Sequence, residues 1–124
     1  MTQEDKELLL KDLCARLPFG IKVLYDTQIF EVQYIEPMYE EIKLLDNERY
    51  TLSIDEVKPY LFPLSSMTEE QIKEFNSITQ KCSTYIGKSI LLTDFCNKHH
   101  IDWRGFIEKG LAEDATDKNI YDYL

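Results

Sequence analysis

The apolar residues of this chain change their spacing twice, and no other feature restricts the fold as much. Over residues 2–17 they follow a helical repeat. Leu10, Leu13, Cys14 and Leu17 fall at i, i+3, i+4 and i+7, the pattern of one buried helix face. Thr2 suits the cap, Glu4 and Asp5 place negative charge in the first turn, and Pro18 and Gly20 stop the helix. From residue 21 the period is two. Ile21, Val23 and Tyr25 alternate with Lys22 and Asp26, and Phe30, Val32 and Tyr34 with Glu31 and Gln33. Ile42 and Leu44 flank Lys43, and Tyr50, Leu52 and Ile54 alternate with Thr51, Ser53 and Asp55. Such alternation predicts half-buried strands with one wet face. Short turn-like joints at 26–28, 37–40 and 46–49 link them into a four-stranded antiparallel meander. A sheet this small twists strongly and can curl into an SH3-like partial barrel.

Lys58-Pro59-Tyr60-Leu61-Phe62-Pro63-Leu64 carries two residues without a backbone donor, so it reads as an extended connector leaving the sheet. Helical spacing then returns. Thr68 and Gln71 fit a capping box, and Ile72, Phe75, Ile78, Thr79, Cys82 and Ile86 carry the helix to about Gly87. A third helix covers roughly 89–99, with Leu92, Phe95, Cys96 and His99 on one face. A short last helix, Trp103 to Lys109, is capped by Asp102 and ends at Gly110, with Leu111 reaching back to Phe106. The acidic tail from Glu113 is expected to fray, with Ile120, Tyr121, Tyr123 and Leu124 available to tuck against the fold. The expected class is therefore α+β, in one domain spanning residues 1–124. It comprises an N-terminal helix (1–20), the β-meander with its proline-bounded connector (21–64), and a helical part (65–124). Ile72, Phe75, Leu92, Phe95, Trp103 and Phe106 are expected to pack the helices onto the sheet. A chain of 124 residues buries enough surface for a core without disulfides or metal.

Charge narrows the partners. The net charge is −9, distributed as −1, −5 and −3 over residues 1–20, 21–64 and 65–124, so no segment is basic. Neutralising phosphates supplies most of a nucleic-acid binder's affinity, which argues against direct binding to DNA, RNA or an anionic membrane. No stretch approaches the ~20 apolar residues of a membrane span, and the N-terminus lacks the features of a secretory signal. Three widely spaced cysteines (Cys14, Cys82, Cys96) read as free thiols of a reducing compartment, which places the protein in the cytoplasm.

Two constellations of side chains bear on chemistry. Cys82, Cys96, His99 and His100 include a C-x-x-H spacing and are weak candidates for a metal site, but Zn²⁺ usually takes paired ligands and a second pair is missing. Cys82, Cys96 and His99 also lie on the apolar stripes of their helices, where a free cysteine packs as a small hydrophobe. A Cys96–His99 nucleophilic pair lacks an orienting third group, no glycine pattern cradles a phosphate, and no two acids are paired in a defined cleft. The reading is accordingly not an enzyme, with no cofactor. The second constellation is aromatic. Tyr60 and Phe62 sit in the proline-bounded connector and Trp103 precedes Arg104, and Tyr, Trp and Arg are the residues that anchor interfaces. These four are the candidate partner-binding residues.

The stretches KPYLFPLSSMTEEQ (58–71) and HHIDWRGFIEKGLA (99–112), together with LCARLPFG (13–20), resemble a family of small proteins from gut Bacteroides genomes. The resemblance spans nearly the whole chain and departs from the family in 81–91 and after Ala112. It implies an often prophage-like genomic setting and brings no assigned activity. The function expected is a non-enzymatic protein-interaction module of a mobile element, its partner another protein. The alternatives are an acidic DNA-mimic decoy, suggested by the net charge, and a small metal- or thiol-dependent enzyme.

Overall fold

The computed structural model describes residues 1–121. Its elements run α1 (Gln3–Arg16), β1 (Lys22–Tyr25), β2 (Gln28–Glu36), β3 (Glu41–Leu44), β4 (Leu52–Ser53), β5 (Lys58–Leu61), α2 (Glu69–Lys81), α3 (Tyr85–Lys98) and β6 (Glu113–Asp114). The protein is α+β, with an N-terminal helix, an antiparallel meander β1-β2-β3-β4 and C-terminal helices.

The capping signals act as read. Thr2 Oγ1 accepts the Asp5 amide while Asp5 answers the Thr2 amide, and Thr68 with Gln71 does the same for α2. In α1 the buried stripe is rotated from the expected one. Leu9, Leu10 and Leu13 are buried, Cys14 is exposed, and the stripe is completed by Asp12 and Arg16.

The full sheet has six strands in the order β4-β3-β2-β1-β5-β6. The segment expected to leave the sheet, Lys58–Leu61, is instead strand β5, antiparallel to β1 with Pro59 opposite Val23. On its other flank β6 pairs in parallel with Tyr60 and Leu61 only, so Pro59 has no ladder partner there that would need its missing amide. Strand β2 pairs β1 through Gln28–Glu31 and β3 from Val32 onward, with a register shift between Val32 and Tyr34 that bends it. A 3₁₀ turn (Ile54–Glu56) leads from β4 into β5. Among the described residues no ladder joins β4 to β5. Both sheet edges are strands of two residues, which limits further strand addition.

The helical part differs from expectation at two places. The run through Ile86 is interrupted after Lys81, where Cys82 turns extended, and Thr84 Oγ1 accepts the Gly87 amide to start α3 afresh. Residues 103–110 form turns, with no helix. The Asp102 carboxylate still caps them, taking the Phe106 and Ile107 amides at 2.9 Å each, and the Leu111 amide reaches back to the Phe106 carbonyl past Gly110 at φ +76°. The tail does not fray before Tyr121. Ala115 is fully buried, and the Tyr121 hydroxyl accepts the Lys22 amide at 2.9 Å and lies 2.8 Å from the Tyr60 carbonyl, to which it donates. Tyr123 and Leu124 lie outside the described residues.

Apolar burial falls into two cores. The larger joins α1 to the inner face of the sheet and takes in Phe106, Leu111 and Ala112. The smaller holds Phe95, Cys96 and Ile101, packed by Phe75, Ile78, Met67 and Trp103. The expected set is therefore divided: Phe106 packs onto the sheet, Phe95 is buried in the second core with Phe75 and Trp103 packed against it, Leu92 is half-buried, and Ile72 is exposed.

Candidate interaction site

Between the two cores lies a buried polar network. Asp12 and Arg16, one helical turn apart on α1, are both fully buried. Arg16 Nε donates to Asp12 Oδ2 at 2.8 Å, and Nη2 donates to Oδ1 at 3.3 Å. The rest of the guanidinium crosses to the end of α3, with Nη2 donating to the Ile101 carbonyl at 2.7 Å and Nη1 to the Cys96 carbonyl at 3.3 Å. A buried charge needs this degree of pairing, because an unsatisfied one costs several kcal/mol. The sequence contained the signal: an Asp and an Arg spaced i, i+4 between Leu9, Leu13 and Leu17 on an apolar stripe.

Asp12 also fixes the candidate residue Arg104, whose Nε donates to Oδ1 at 3.2 Å. The Arg104 guanidinium carbon sits 4.0 Å from the Trp103 ring centroid, a cation–π stack, and Trp103 Nε1 donates to Asn97 Oδ1 at 3.2 Å. Two residues of a turn are thus held in one geometry by a buried carboxylate and a buried amide. They line an open cleft of about 440 Å³ with Pro63, Leu64, Ser65, Gly105, Ile107 and Glu108. Leu64 is half exposed on the cleft wall, and Gly105, at φ +78°, leaves open space where a side chain would stand. The Arg104 side chain lines the cleft, keeps 19% of its surface in solvent, and bonds Asp12 through its Nε.

The other two candidates are elsewhere. Tyr60, as part of β5, is buried and cannot present a surface; this corrects its assignment to a partner-binding patch. Phe62 is half buried, bridges to the loop after α3 through the Phe62 amide and the His100 carbonyl at 2.8 Å, and lines a separate concavity with Tyr121. The structure therefore brings Trp103 and Arg104 into one cleft whose lining includes neither Tyr60 nor Phe62, although the Phe62 carbonyl accepts the Asp102 amide at 2.8 Å beside it.

The cysteine–histidine cluster is dispersed into different roles. Cys96 is buried, and burial pushes its thiol up, with Arg16 opposing more weakly. His99 leans on Phe95 with ring centroids 4.7 Å apart and faces Glu74; burial lowers its pKa against the pull of that carboxylate. His100 is fully buried with φ +56°, stacks on Tyr121 at 4.1 Å, and has its pKa pushed down to about 4, chiefly by burial. Its Nε2 thus carries the proton and donates to the Phe19 carbonyl at 2.9 Å. Burial thus acts on the thiol and on both imidazoles in the direction that favours the neutral form, the opposite of what activates a thiolate–imidazolium pair. Cys82 lies at the C-terminal cap of α2, partly exposed. Among the described residues no group of three His, Cys, Asp or Glu side chains is placed to hold a metal ion, and no helix is long and apolar enough to cross a membrane.

Comparison with known proteins returned no matching family model, no matching curated protein and no matching solved structure.

Proposed function

We propose that this chain is a non-enzymatic protein-interaction module that docks a partner protein at the Trp103–Arg104 cleft. The observation that carries the reading is the preorganisation of that pair. Trp103 is held by Asn97 and Arg104 by buried Asp12, so neither loses much conformational freedom on binding. Aromatic and arginine side chains in such settings dominate interface energies. The cleft's chemistry favours a segment with an apolar side chain against Leu64, Ile107 and Trp103, and a carboxylate or backbone carbonyl for the solvent-accessible part of Arg104. The resemblance to prophage-associated Bacteroides proteins adds the setting of this reading: a mobile-element protein acting in the cytoplasm.

The test is capture from a Bacteroides lysate, identification of the partner, and titration of the purified pair by calorimetry. Leu64→Glu, at an exposed position, and Trp103→Ala are each expected to weaken binding by about tenfold or more. Binding that survives both changes undiminished refutes the cleft. A captured DNA-binding protein released by salt favours the acidic-decoy reading instead, since a net charge of −9 would then be the attraction.

A further inference from the structure

The outer face of β2-β3-β4 carries an arrangement that stability does not call for. Ile35, Ile42 and Leu52 align across the three strands toward the core. The same register places Tyr34 opposite Lys43, and Glu36 opposite Glu41, on the face turned away from it. Side chains directly opposite in an antiparallel pair stand about 5 Å apart, and like charges there repel. The nearby cations do not relieve the pair. Lys43 turns its amine to the Leu44 and Asn47 carbonyls at 2.9 and 2.6 Å, and Arg49 is held by Glu56 at 2.9 Å and by the Tyr25 hydroxyl at 3.2 Å. Glu41 accepts only the neutral Thr51 hydroxyl, at 3.0 Å, and among the described residues neither Glu36 nor Glu41 forms an ion pair.

Two phenol rings complete the face. Tyr50 is 77% exposed. Burial, a hydrogen bond with Tyr50 and the charges of Glu36 and Glu41 all raise the Tyr34 phenol, so both rings and both carboxylates lie within reach of one another. The surround is acidic as well: residues 34–56 hold seven acidic and two basic side chains, a net −5 of the chain's −9. Charge selects the occupant. A phosphate-bearing partner is repelled, and an apolar one would bury two unpaired carboxylates. Among the described residues no third His, Cys, Asp or Glu joins the pair to hold a metal ion. A lysine supplies the charge but not the shape. A guanidinium is planar and forked, so it can bond neighbouring carboxylates along its edges while a phenol ring stacks on its face. We infer that this face docks an arginine-bearing segment of a partner protein, with Glu36 and Glu41 taking the guanidinium and Tyr34 and Tyr50 flanking it. The repulsion between the glutamates is then a local instability retained for binding. The face shares no residue with the Trp103–Arg104 cleft and forms a second, independent contact.

Fluorescence anisotropy of a labelled arginine-rich Gly-Ser peptide titrated with the full chain at physiological salt tests the proposal, beside a lysine-for-arginine twin of equal charge. The arginine peptide should bind about threefold or more tighter than its twin. Glu36→Gln with Glu41→Gln should weaken it about tenfold or more, and Tyr50→Ala, which leaves the net charge unchanged, about threefold. Glu4→Gln with Glu7→Gln removes the same charge from exposed positions of α1 and should leave binding within about twofold. Glu36→Gln alone should unfold at the same or a higher urea concentration than the wild type, since it relieves a like-charge pair. Absence of binding, equal binding of the two peptides, or an equal loss in the α1 variant overturns the proposal, the last two leaving net charge as the whole attraction. Earlier unfolding of Glu36→Gln overturns it too, because the glutamate would then be structural. Leu64→Glu should bind the arginine peptide as the wild type does, so this result and the cleft's fail or succeed separately.

Discussion

Replacing Asp12 with alanine is the most informative change the fold offers. The carboxylate is fully buried, as is Arg16, and its two oxygens receive Arg16 at 2.8 and 3.3 Å and Arg104 at 3.2 Å. Its removal strands a buried guanidinium on two backbone carbonyls, each already accepting another bond: Cys96 from the Ile101 amide and Ile101 from the Trp103 amide. Breaking one side of a buried pair costs about 3–5 kcal/mol. The lost Arg104 contact, partly exposed, adds little beyond that. For a chain of this length the cost corresponds to a fall in Tm of roughly 10–20 °C. Urea unfolding followed by circular dichroism and by the fluorescence of Trp103, the chain's one tryptophan, measures it directly, with an unchanged m-value as the sign that stability alone has moved. Asp12→Leu combined with Arg16→Met should cost less than Asp12→Ala alone, because no charge is then left buried and both carbonyls keep their backbone partners. A loss below about 1 kcal/mol for Asp12→Ala, the worth of an exposed pair, would refute the argument that this pair is sealed from water.

Two further outcomes follow from the histidines and the thiols. His100 has a folded pKa near 4 against an ordinary 6.5, so between these values the unfolded chain binds more protons than the folded one. Its contribution to stability is whole above pH 6.5, is lost as pH falls toward 4, and amounts to about 3 kcal/mol at most. Unfolding free energies measured across that window should flatten in His100→Asn, a residue that tolerates the left-handed backbone there; identical profiles for variant and wild type would contradict the assignment. His99, lowered in the same direction, leaves a residual slope in the variant. Timed thiol labelling under native conditions should modify exposed Cys14 first, Cys82 more slowly and buried Cys96 only on unfolding; early reaction of Cys96 would contradict its place in the second core.

Local signals in the sequence translated directly into structure. The cap at Thr2, the capping box at Thr68 and the left-handed Gly110 depend on residues within a few positions, and each is readable there. What misled were features decided at long range. Pro59 argues against a strand on local grounds, yet β6, more than fifty residues later, pairs only where the proline does not matter. Trp103–Lys109 has helical spacing, but Asp102 is satisfied by capping turns that the larger core accommodates through Phe106 and Leu111. Of the site, Trp103 and Arg104 were legible by residue type. Their rigidity was not, because it comes from Asp12 on α1 and Asn97 on α3, whose burial is a tertiary fact. Tyr60 shows the same limit in reverse, since its connector became a strand flanked by others on both sides.

The bonds from Arg16 to the Cys96 and Ile101 carbonyls also impose an order on biosynthesis. Their partners follow Arg16 by 80 and 85 residues. At a translation rate of ~5–20 residues per second, α1 leaves the ribosome about 4–17 seconds before the groups that receive it. The meander can pair as it emerges, but the outer flank of β5 stays uncovered until β6 arrives, and Tyr121 must follow before the Lys22 amide finds its hydroxyl. A nascent chain of which residues 61 to about 95 are the last to have emerged therefore exposes a strand and an unsealed guanidinium together, the state in which holding chaperones or early degradation would act on it.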